Sequence, residues 1–295
     1  MILNRAVKPT LTPFILNTGD TLNLTLSCGK VWTMTLLESK AFVIKRGAPP
    51  VNDAGHERGD ILAYGFDALA EINGRRVEFA REVGTQASFY QPWVVDGVRI
   101  WFDASAAAFA QRGGFIAEKD WREGLVCCPQ RLTRWAVQEE GVAVCPEPLH
   151  DWFPNPKRPL DIRDCYMGED CWMGPYNGGT AHCGLDINMP IGTPLFAPFA
   201  LDTQRVYDSL ASGAGNNRWF GERRWPDGSI WQIQTSHIVE ATVPPHAPVR
   251  AGAQYAIAAG TAYGQVPHTH FIWRVIEQGA TCLLDPWILF AETGP

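Results

Sequence analysis

Short runs in which apolar and polar residues alternate recur along the chain, and they constrain its fold more than any other feature. In 20-DTLNLTLS-27 three leucines alternate with polar residues, which is the period-2 pattern of a half-buried strand. Asn73-Gly74 and Asp96-Gly97 stand between apolar runs, where such dipeptides form two-residue hairpin turns. The first part of the chain is therefore predicted to be an antiparallel sandwich or barrel of about 120 residues.

The second half of the chain repeats this pattern after a proline-rich interruption. The stretch 145-CPEPLHDWFPNPKRP-159 contains five prolines and is typical of a linker or an extended wrap. Beyond it, Gly and Pro separate short β-like runs such as 229-SIWQIQTSHIV-239. We therefore predict a mainly β protein with three parts: a β-sandwich-like accessory domain at 1–125, a connector at 126–173 and a second β domain at 174–295.

The charge and hydropathy of the chain argue against two classes of partner. Its 25 basic and 31 acidic residues give a net charge of −6 with no long run of one sign, which argues against nucleic-acid binding. No apolar segment approaches the roughly 20 residues of a membrane span. The opening stretch MILNRAVKPTLTPF lacks the apolar core and cleavage site of a signal peptide. Either the chain is not exported by that route, or a signal has been removed ahead of Met1.

Two histidines stand one residue apart at the start of a strand-like run, 266-VPHTHFIWRV-275. Residues two apart on a strand point to the same face, so His268 and His270 are expected to face one site. The alternate residues form the face that we predict to be buried: Thr269, Phe271, Trp273 and Val275. The histidines are then left on an accessible or groove-facing side.

His182 and Asp186 form a second pair with suitable chemistry. They are four residues apart, a spacing that keeps two side chains on one face of either a helix or a strand. Imidazole nitrogen and carboxylate oxygen are both zinc ligands, and a catalytic zinc uses three protein ligands and leaves a position for water. Alone, this pair is a weak indication of a metal site.

The order of these residues resembles the M23 family of zinc metallopeptidases, the LytM- or lysostaphin-type peptidoglycan endopeptidases. H-x-x-x-D is followed about 50 residues later by a histidine, and about 30 residues beyond that by H-x-H. The stretch 182-HCGLDINMPIGTPLFAP-198 is similar to the family's H-x-G-x-D block with its Gly-Thr-Pro turn. The stretch 260-GTAYGQVPHTHFIW-273 is similar to the glycine-rich segment that leads into H-x-H. The resemblance covers about residues 174–290 and does not reach the first 120 residues.

The resemblance implies an M23-like antiparallel β catalytic domain with an open groove and one bound Zn²⁺ ion. Carried over residue by residue, it implies that zinc is bound by His182, Asp186 and His270. It places His237 and His268 beside the metal-bound water, where one imidazole moves a proton and the other donates to the oxyanion. Which histidine has which role stays open. Because all five positions are filled, we expect an active enzyme.

The region around His237 departs from the family's usual pattern. Ser236 stands where an aromatic-Ala step is common, and His246 in 244-PPHAP-248 is a rival for the role of His237. Four residues are candidates for lining a substrate groove: Asn177, Trp219, Trp225 and Trp231. For the tryptophans, packing of the hairpin and its neighbours is the alternative.

The function that the resemblance implies is zinc-dependent hydrolysis of peptide bonds in peptidoglycan cross-links or stem peptides. This implies a periplasmic, extracellular or wall-associated location, with the missing signal explained by trimming or by delivery on a phage-like particle. Two alternatives are a catalytically silent wall-binding or regulatory protein, and a zinc amidase or peptidase with a non-wall substrate. The peptidoglycan substrate rests on the resemblance alone.

Overall fold

The described part of the chain is almost entirely β structure, which confirms the mainly β prediction. The computed structural model describes residues 1–46, 61–88, 91–105, 133–155, 160–165, 175–176, 180–181, 184–207, 217–258 and 267–293. The strands of the first half are β1 (Ile2–Ala6), β2 (Thr12–Leu16), β3 (Thr21–Thr25), β4 (Val31–Arg46), β5 (Ile61–Ile72), β6 (Arg75–Val83), β7 (Trp93–Val95), β8 (Val98–Ser105) and β9 (Thr133–Glu139).

The second half contributes ten further strands and a short helix. The strands are β10 (Pro175–Tyr176), β11 (Thr180–Ala181), β12 (Leu185–Asn188), β13 (Pro194–Phe196), β14 (Thr203–Tyr207), β15 (Asn217–Arg224), β16 (Ile230–Ala241), β17 (Gln254–Ala258), β18 (His268–Glu277) and β19 (Ala280–Leu284), and the helix is α1 (Trp287–Glu292). None of the helices in the described ranges is long and apolar enough to cross a membrane.

Two sheets pack against each other in the first half of the chain. One has the strand order β1-β3-β4-β5-β6, and the other has the order β2-β9-β8-β7. Their buried side chains form one apolar cluster, in which Trp32, Phe66 and Trp135 are fully buried. The β-sandwich-like prediction is therefore confirmed for this part.

The two predicted hairpin turns are present at the expected positions. Asn73-Gly74 joins β5 to β6, and Asp96-Gly97 joins β7 to β8. The four residues have φ values of 47°, 80°, 51° and 80°, as a turn with two left-handed residues requires. These short-range signals fix the pairing register of both hairpins, because the turn leaves only one way to align the strands.

β9 lies inside the range that the sequence assigned to the connector. It pairs with β2 and with β8, and Trp135 lies opposite both Phe14 and Phe102. Trp135 stacks on these two rings in the sandwich core. The four-stranded sheet therefore extends past residue 125, and the division into three domains stays a prediction.

An eight-stranded antiparallel sheet dominates the second half. Its main path is β12-β18-β16-β15-β14, while β17 pairs with β13 and β16, and β19 pairs with β18. The β-like run predicted at 229–239 corresponds to β16. The central position of β18 matters for function because it carries the H-x-H pair.

β18 contributes to two apolar cores at once. Phe271, Trp273 and Val275 are fully buried in the core of the eight-stranded sheet. Ile272 points the other way and joins the core of the sandwich, together with Leu283 of β19. The two halves therefore share buried contacts along this strand.

A buried ion network also joins the two halves. Asp103 on β8 binds the guanidinium groups of Arg81 on β6 and Arg134 on β9. Arg81 also binds Asp285, which follows β19 and accepts a hydrogen bond of 2.8 Å from the backbone of Trp287. The four charged side chains are at most 1% exposed. The network thus connects β6, β8 and β9 of the sandwich to Asp285, which lies between β19 and α1.

Candidate active site

Three neighbouring strands bring the chemically interesting side chains to one face of the large sheet. Between β12 and β18, Asp186 lies directly opposite His270, and Asn188 lies opposite His268. Between β16 and β18, Ser236 lies opposite His270. Because directly opposite residues project to the same side of a sheet, these side chains form one polar patch. We call it the polar face.

Both histidines of the H-x-H pair contact Asp186, so they face one site, as their two-residue spacing predicts. His270 Nδ1 lies 2.7 Å from Asp186 Oδ1, and His268 Nε2 lies 3.6 Å from Asp186 Oδ2. Of the predicted accessible or groove-facing side, the accessible alternative is wrong, since His268 is 3% exposed and His270 is 8% exposed. The opposite face is buried as predicted, so β18 is covered on both sides at this point.

A β-bulge interrupts β16 at His237. Asn217 and Arg218 are consecutive on β15, but their partners on β16 are Ile238 and Ser236. His237 is therefore an extra residue with no counterpart on β15, which defines a bulge. Its φ is +63°, in the left-handed region that residues with a Cβ rarely adopt.

The bulge explains how His237 reaches the polar face. In a regular strand His237 would point away from Ser236, and hence away from His270. Instead its ring centroid lies 4.8 Å from that of His268 and 6.3 Å from that of His270. Three imidazoles are thus grouped near the Asp186 carboxylate. His246, the rival candidate, is exposed in a turn where its backbone N–H donates to Gln204.

Backbone strain at His237 leads to a stability prediction. We expect the His237→Gly variant to be more stable than His237→Ala by about 1 kcal/mol, because a residue with a Cβ pays roughly 1–2 kcal/mol in the left-handed region. In a regular strand the order is reversed, with Ala favoured by about 0.5–1 kcal/mol. Urea midpoints of the two metal-free variants measure the difference. An alanine variant as stable as the glycine variant would show that the bulge relaxes without cost.

Gly184 packs directly against His270. A Cβ placed on Gly184 would lie 2.4 Å from His270 Cε1, 2.5 Å from Nε2 and 2.6 Å from the Phe271 carbonyl oxygen. Any larger residue must displace the imidazole, so only glycine fits this arrangement. Gly184 therefore helps to hold the His270 ring with Nδ1 toward Asp186. The sequence pattern contained this glycine in H-x-G-x-D but did not indicate what it contacts.

The donor atoms on the polar face are those that zinc prefers. Ligands of a tetrahedral zinc, at about 2.0–2.1 Å from the ion, lie about 3.3 Å from one another. Asp186 Oδ1 and His270 Nδ1 are 2.7 Å apart, so a small opening of this pair brings them to ligand spacing. Within the described ranges, no group of three His, Cys, Asp or Glu side chains is arranged to hold a metal. The third predicted ligand, His182, lies outside the described residues, as does Asn177. The described donors therefore fit two of the three ligand positions.

The three tryptophans proposed for the groove belong to the protein core instead. Trp219 and Trp231 are 0% exposed and Trp225 is 4% exposed. Trp219 stacks on Tyr255 with ring centroids 3.8 Å apart, and its indole N–H donates to Gln204. Trp225 and Trp231 pack edge-to-face at 5.4 Å. The packing alternative therefore describes these side chains, and they do not line an open groove.

No protein-family model and no curated protein matches the sequence. Among solved structures, the catalytic domain of the antimicrobial peptidase lysostaphin from Staphylococcus simulans is 25% identical over 38% of this chain and 81% of that chain, with a TM-score of 0.30. The antimicrobial peptidase lysostaphin from the same organism is 26% identical over 39% of this chain and 45% of that chain, with a TM-score of 0.30. A zinc containing peptidase from Vibrio cholerae is 10% identical over 92% of this chain and 83% of that chain, with a TM-score of 0.28. These TM-scores are low, and none of these similarities bears on the function of this protein.

Proposed function

We propose that this protein is a zinc-dependent endopeptidase that cleaves peptide bonds in peptidoglycan cross-links or stem peptides, outside the cytoplasm. One observation carries the proposal. Residues from three separate segments, Asp186, His237 and the H-x-H pair, lie together on one face of the sheet. Their order along the chain is the order of the M23 motif. The substrate class comes from that motif resemblance alone.

Asp186, His270 and His182 are the residues that would hold zinc. When bound, zinc acts as a Lewis acid on the scissile carbonyl and lowers the pKa of a bound water toward neutrality. Asp186 and His270 are already in contact, and Gly184 packs against the edge of the His270 ring that carries Cε1 and Nε2. A preformed pair of donors reduces the conformational entropy that is lost when the ion binds.

His237 and His268 would move the proton during hydrolysis. The attacking water forms a bond from its oxygen to the carbonyl carbon, and one of its protons passes to an imidazole nitrogen. The peptide C–N bond then breaks, and the imidazole returns that proton to the leaving nitrogen as the amine departs. The two rings lie 4.8 Å apart, close enough for one to act on the proton while the other donates to the developing oxyanion.

Metal content and reaction products test this proposal. We expect about one zinc ion per purified chain, as a catalytic site with three protein ligands requires. With purified peptidoglycan, mass spectrometry should detect new amino and carboxyl ends within the peptides. Removing zinc with a chelator should abolish the reaction, and adding zinc back should restore it.

Other outcomes of the same experiment point to the alternatives. Zinc without any product would indicate a silent binding protein. Release of whole stem peptides from the glycan would indicate an amidase. A protein that contains no zinc, and binds none when it is supplied, would contradict the proposal itself.

A further inference from the structure

A chain of hydrogen-bonded side chains runs along the sheet toward the polar face. Arg274 Nη2 donates to Gln234 Oε1 at 3.1 Å, and Gln234 Nε2 donates to Ser236 Oγ at 3.2 Å. Ser236 is the residue directly opposite His270. Gln234 and Ser236 are buried, at 7% and 5% exposure. The chain therefore connects a distant guanidinium to the edge of the site through two side chains shielded from water.

The direction of every hydrogen bond in this chain is fixed by Arg274. A guanidinium has five donors and no acceptor, so the amide oxygen of Gln234 must face it. The amide nitrogen then faces Ser236, whose oxygen must accept. Burial lowers the pKa of Arg274 to about 10, which still leaves it charged at neutral pH. Its hydrogen-bond acceptor among the described residues is the Gln234 amide and not a carboxylate.

The hydrogen-bond chain ends at the Ser236 hydroxyl, whose own hydrogen takes part in none of its hydrogen bonds. Ser236 Oγ accepts from Gln234, so the hydroxyl hydrogen can only be donated elsewhere. Among the residues that the structure describes, none accepts a hydrogen bond from the Ser236 hydroxyl. Ser236 also precedes the bulged His237, whose ring lies beside that of His268. A hydroxyl that is already engaged as an acceptor, and so is free to donate, is thus placed opposite a proposed zinc ligand.

We propose that Ser236 is a further catalytic residue, whose hydroxyl donates to the anionic oxygen that develops on the scissile carbonyl, and that Gln234 and Arg274 are positioning residues for this donor. The inference rests on the proposed hydrolytic function. Its physical basis is preorganisation, since a donor that is already oriented costs no rearrangement when negative charge appears. The sequence showed Ser236 only as a departure from the M23 pattern, so this role belongs to this chain's own residues.

Removing the hydroxyl is the first test. In Ser236→Ala we expect kcat to fall about 100-fold with KM unchanged, the lower end of what losing one oxyanion donor costs. Zinc content should stay at its wild-type value, whereas the thermal midpoint of the metal-free protein should fall, because the buried Gln234 amide loses its acceptor. Thr235→Val is the matched control, because Thr235 loses a hydroxyl from the opposite face, where it bonds Tyr255. That variant should lose stability and keep its kcat. A Ser236→Ala variant with wild-type kcat would overturn the inference.

The second test reverses the hydrogen bond between Gln234 and Ser236, so that Ser236 becomes the donor. Gln234→Glu has nearly the same shape, but its carboxylate accepts from both Arg274 and Ser236 and so turns the hydroxyl hydrogen away from the site. We expect kcat to fall close to the Ser236→Ala level. The thermal midpoint of the metal-free protein should be held or raised, because the new carboxylate pairs with Arg274.

A double variant separates orientation from charge. If the Gln234→Glu effect operates through the hydroxyl, adding it to Ser236→Ala produces no further loss. Two losses that multiply would mean that the carboxylate acts by its charge, which contradicts the inference. Wild-type zinc content and hydrolysis are measured first. Their absence would refute the proposed function, whereas their presence with an active Ser236→Ala variant refutes only the role of Ser236.

Discussion

Replacing Asp103 by asparagine is expected to lower the free energy of unfolding by about 3–5 kcal/mol, the usual cost of removing one partner of a buried ion pair. Asp103 is 0% exposed and neutralises two buried guanidiniums, those of Arg81 and Arg134. Asparagine keeps the shape but replaces the carboxylate between the two cations by a neutral amide, while Arg81 still pairs with Asp285. Urea unfolding of the metal-free protein, followed by circular dichroism, measures the loss. Because the network reaches Asp285, we expect both halves of the chain to unfold in one transition.

Asp67→Asn is the matched control for this change. Asp67 pairs with Lys40 at 2.9 Å, but their side chains are 35% and 70% exposed. Exposed pairs contribute about 0–1 kcal/mol, so this variant should unfold close to the wild-type midpoint. If Asp103→Asn costs no more than Asp67→Asn, the guanidiniums have found other acceptors, and the network does not hold the halves together.

The features that were predictable from sequence depend on neighbours close in the chain. The alternation in 20–27, the dipeptides Asn73-Gly74 and Asp96-Gly97, and the two-residue spacing of His268 and His270 each specify geometry within a few residues. Local backbone sterics decide such features, so tertiary packing leaves them unchanged. They established the mainly β fold, two hairpin registers and the shared orientation of the H-x-H pair.

The orientation of His237 could not be predicted in this way. Strand periodicity alone turns its side chain to the face opposite Ser236. The bulge reverses this, and its position depends on pairing with β15, where Asn217 and Arg218 align around one extra residue. The M23 resemblance selected His237 over His246 without explaining its geometry. The positive φ of His237 explains how its side chain reaches the polar face, but this angle is known only from the structure.

Burial was the other property that the sequence left open. The sequence around Trp219 and Trp231 is compatible with side chains that line a groove and with side chains that fill a core. The rings that pack on them, those of Tyr255 and Phe199, are more than 30 residues away in the sequence. Charged side chains are rarely buried without a partner, and the partners that bury Arg81 and Asp103 come from other strands. In each case the sequence does not show which sheet or loop covers a given face of a strand, because contacts between residues far apart in the sequence determine that packing.

Exchanging the two histidines of the H-x-H pair, one at a time, for alanine should separate metal binding from proton transfer. His270 Nδ1 is 2.7 Å from Asp186 Oδ1, whereas His268 Nε2 is 3.6 Å from the other oxygen, so His270 is better placed to share an ion with Asp186. We expect His270→Ala to lose zinc and, with it, activity. His268→Ala should retain zinc while kcat falls about 10²–10⁴-fold, the usual contribution of a general acid or base.

Zinc-dependent stability gives a readout of this division that does not require turnover. Free zinc at 100 times its dissociation constant stabilises a protein that binds it only when folded by about 2.7 kcal/mol. Wild type and His268→Ala should both gain this amount, and His270→Ala should gain none. His246→Ala is the matched control, since His246 is exposed in a turn, and it should keep both the gain and the activity. If His268→Ala loses the gain while His270→Ala keeps it, the two roles are exchanged. The closer contact of His270 with Asp186 would then be a hydrogen bond of the metal-free protein and not a shared preference for the ion.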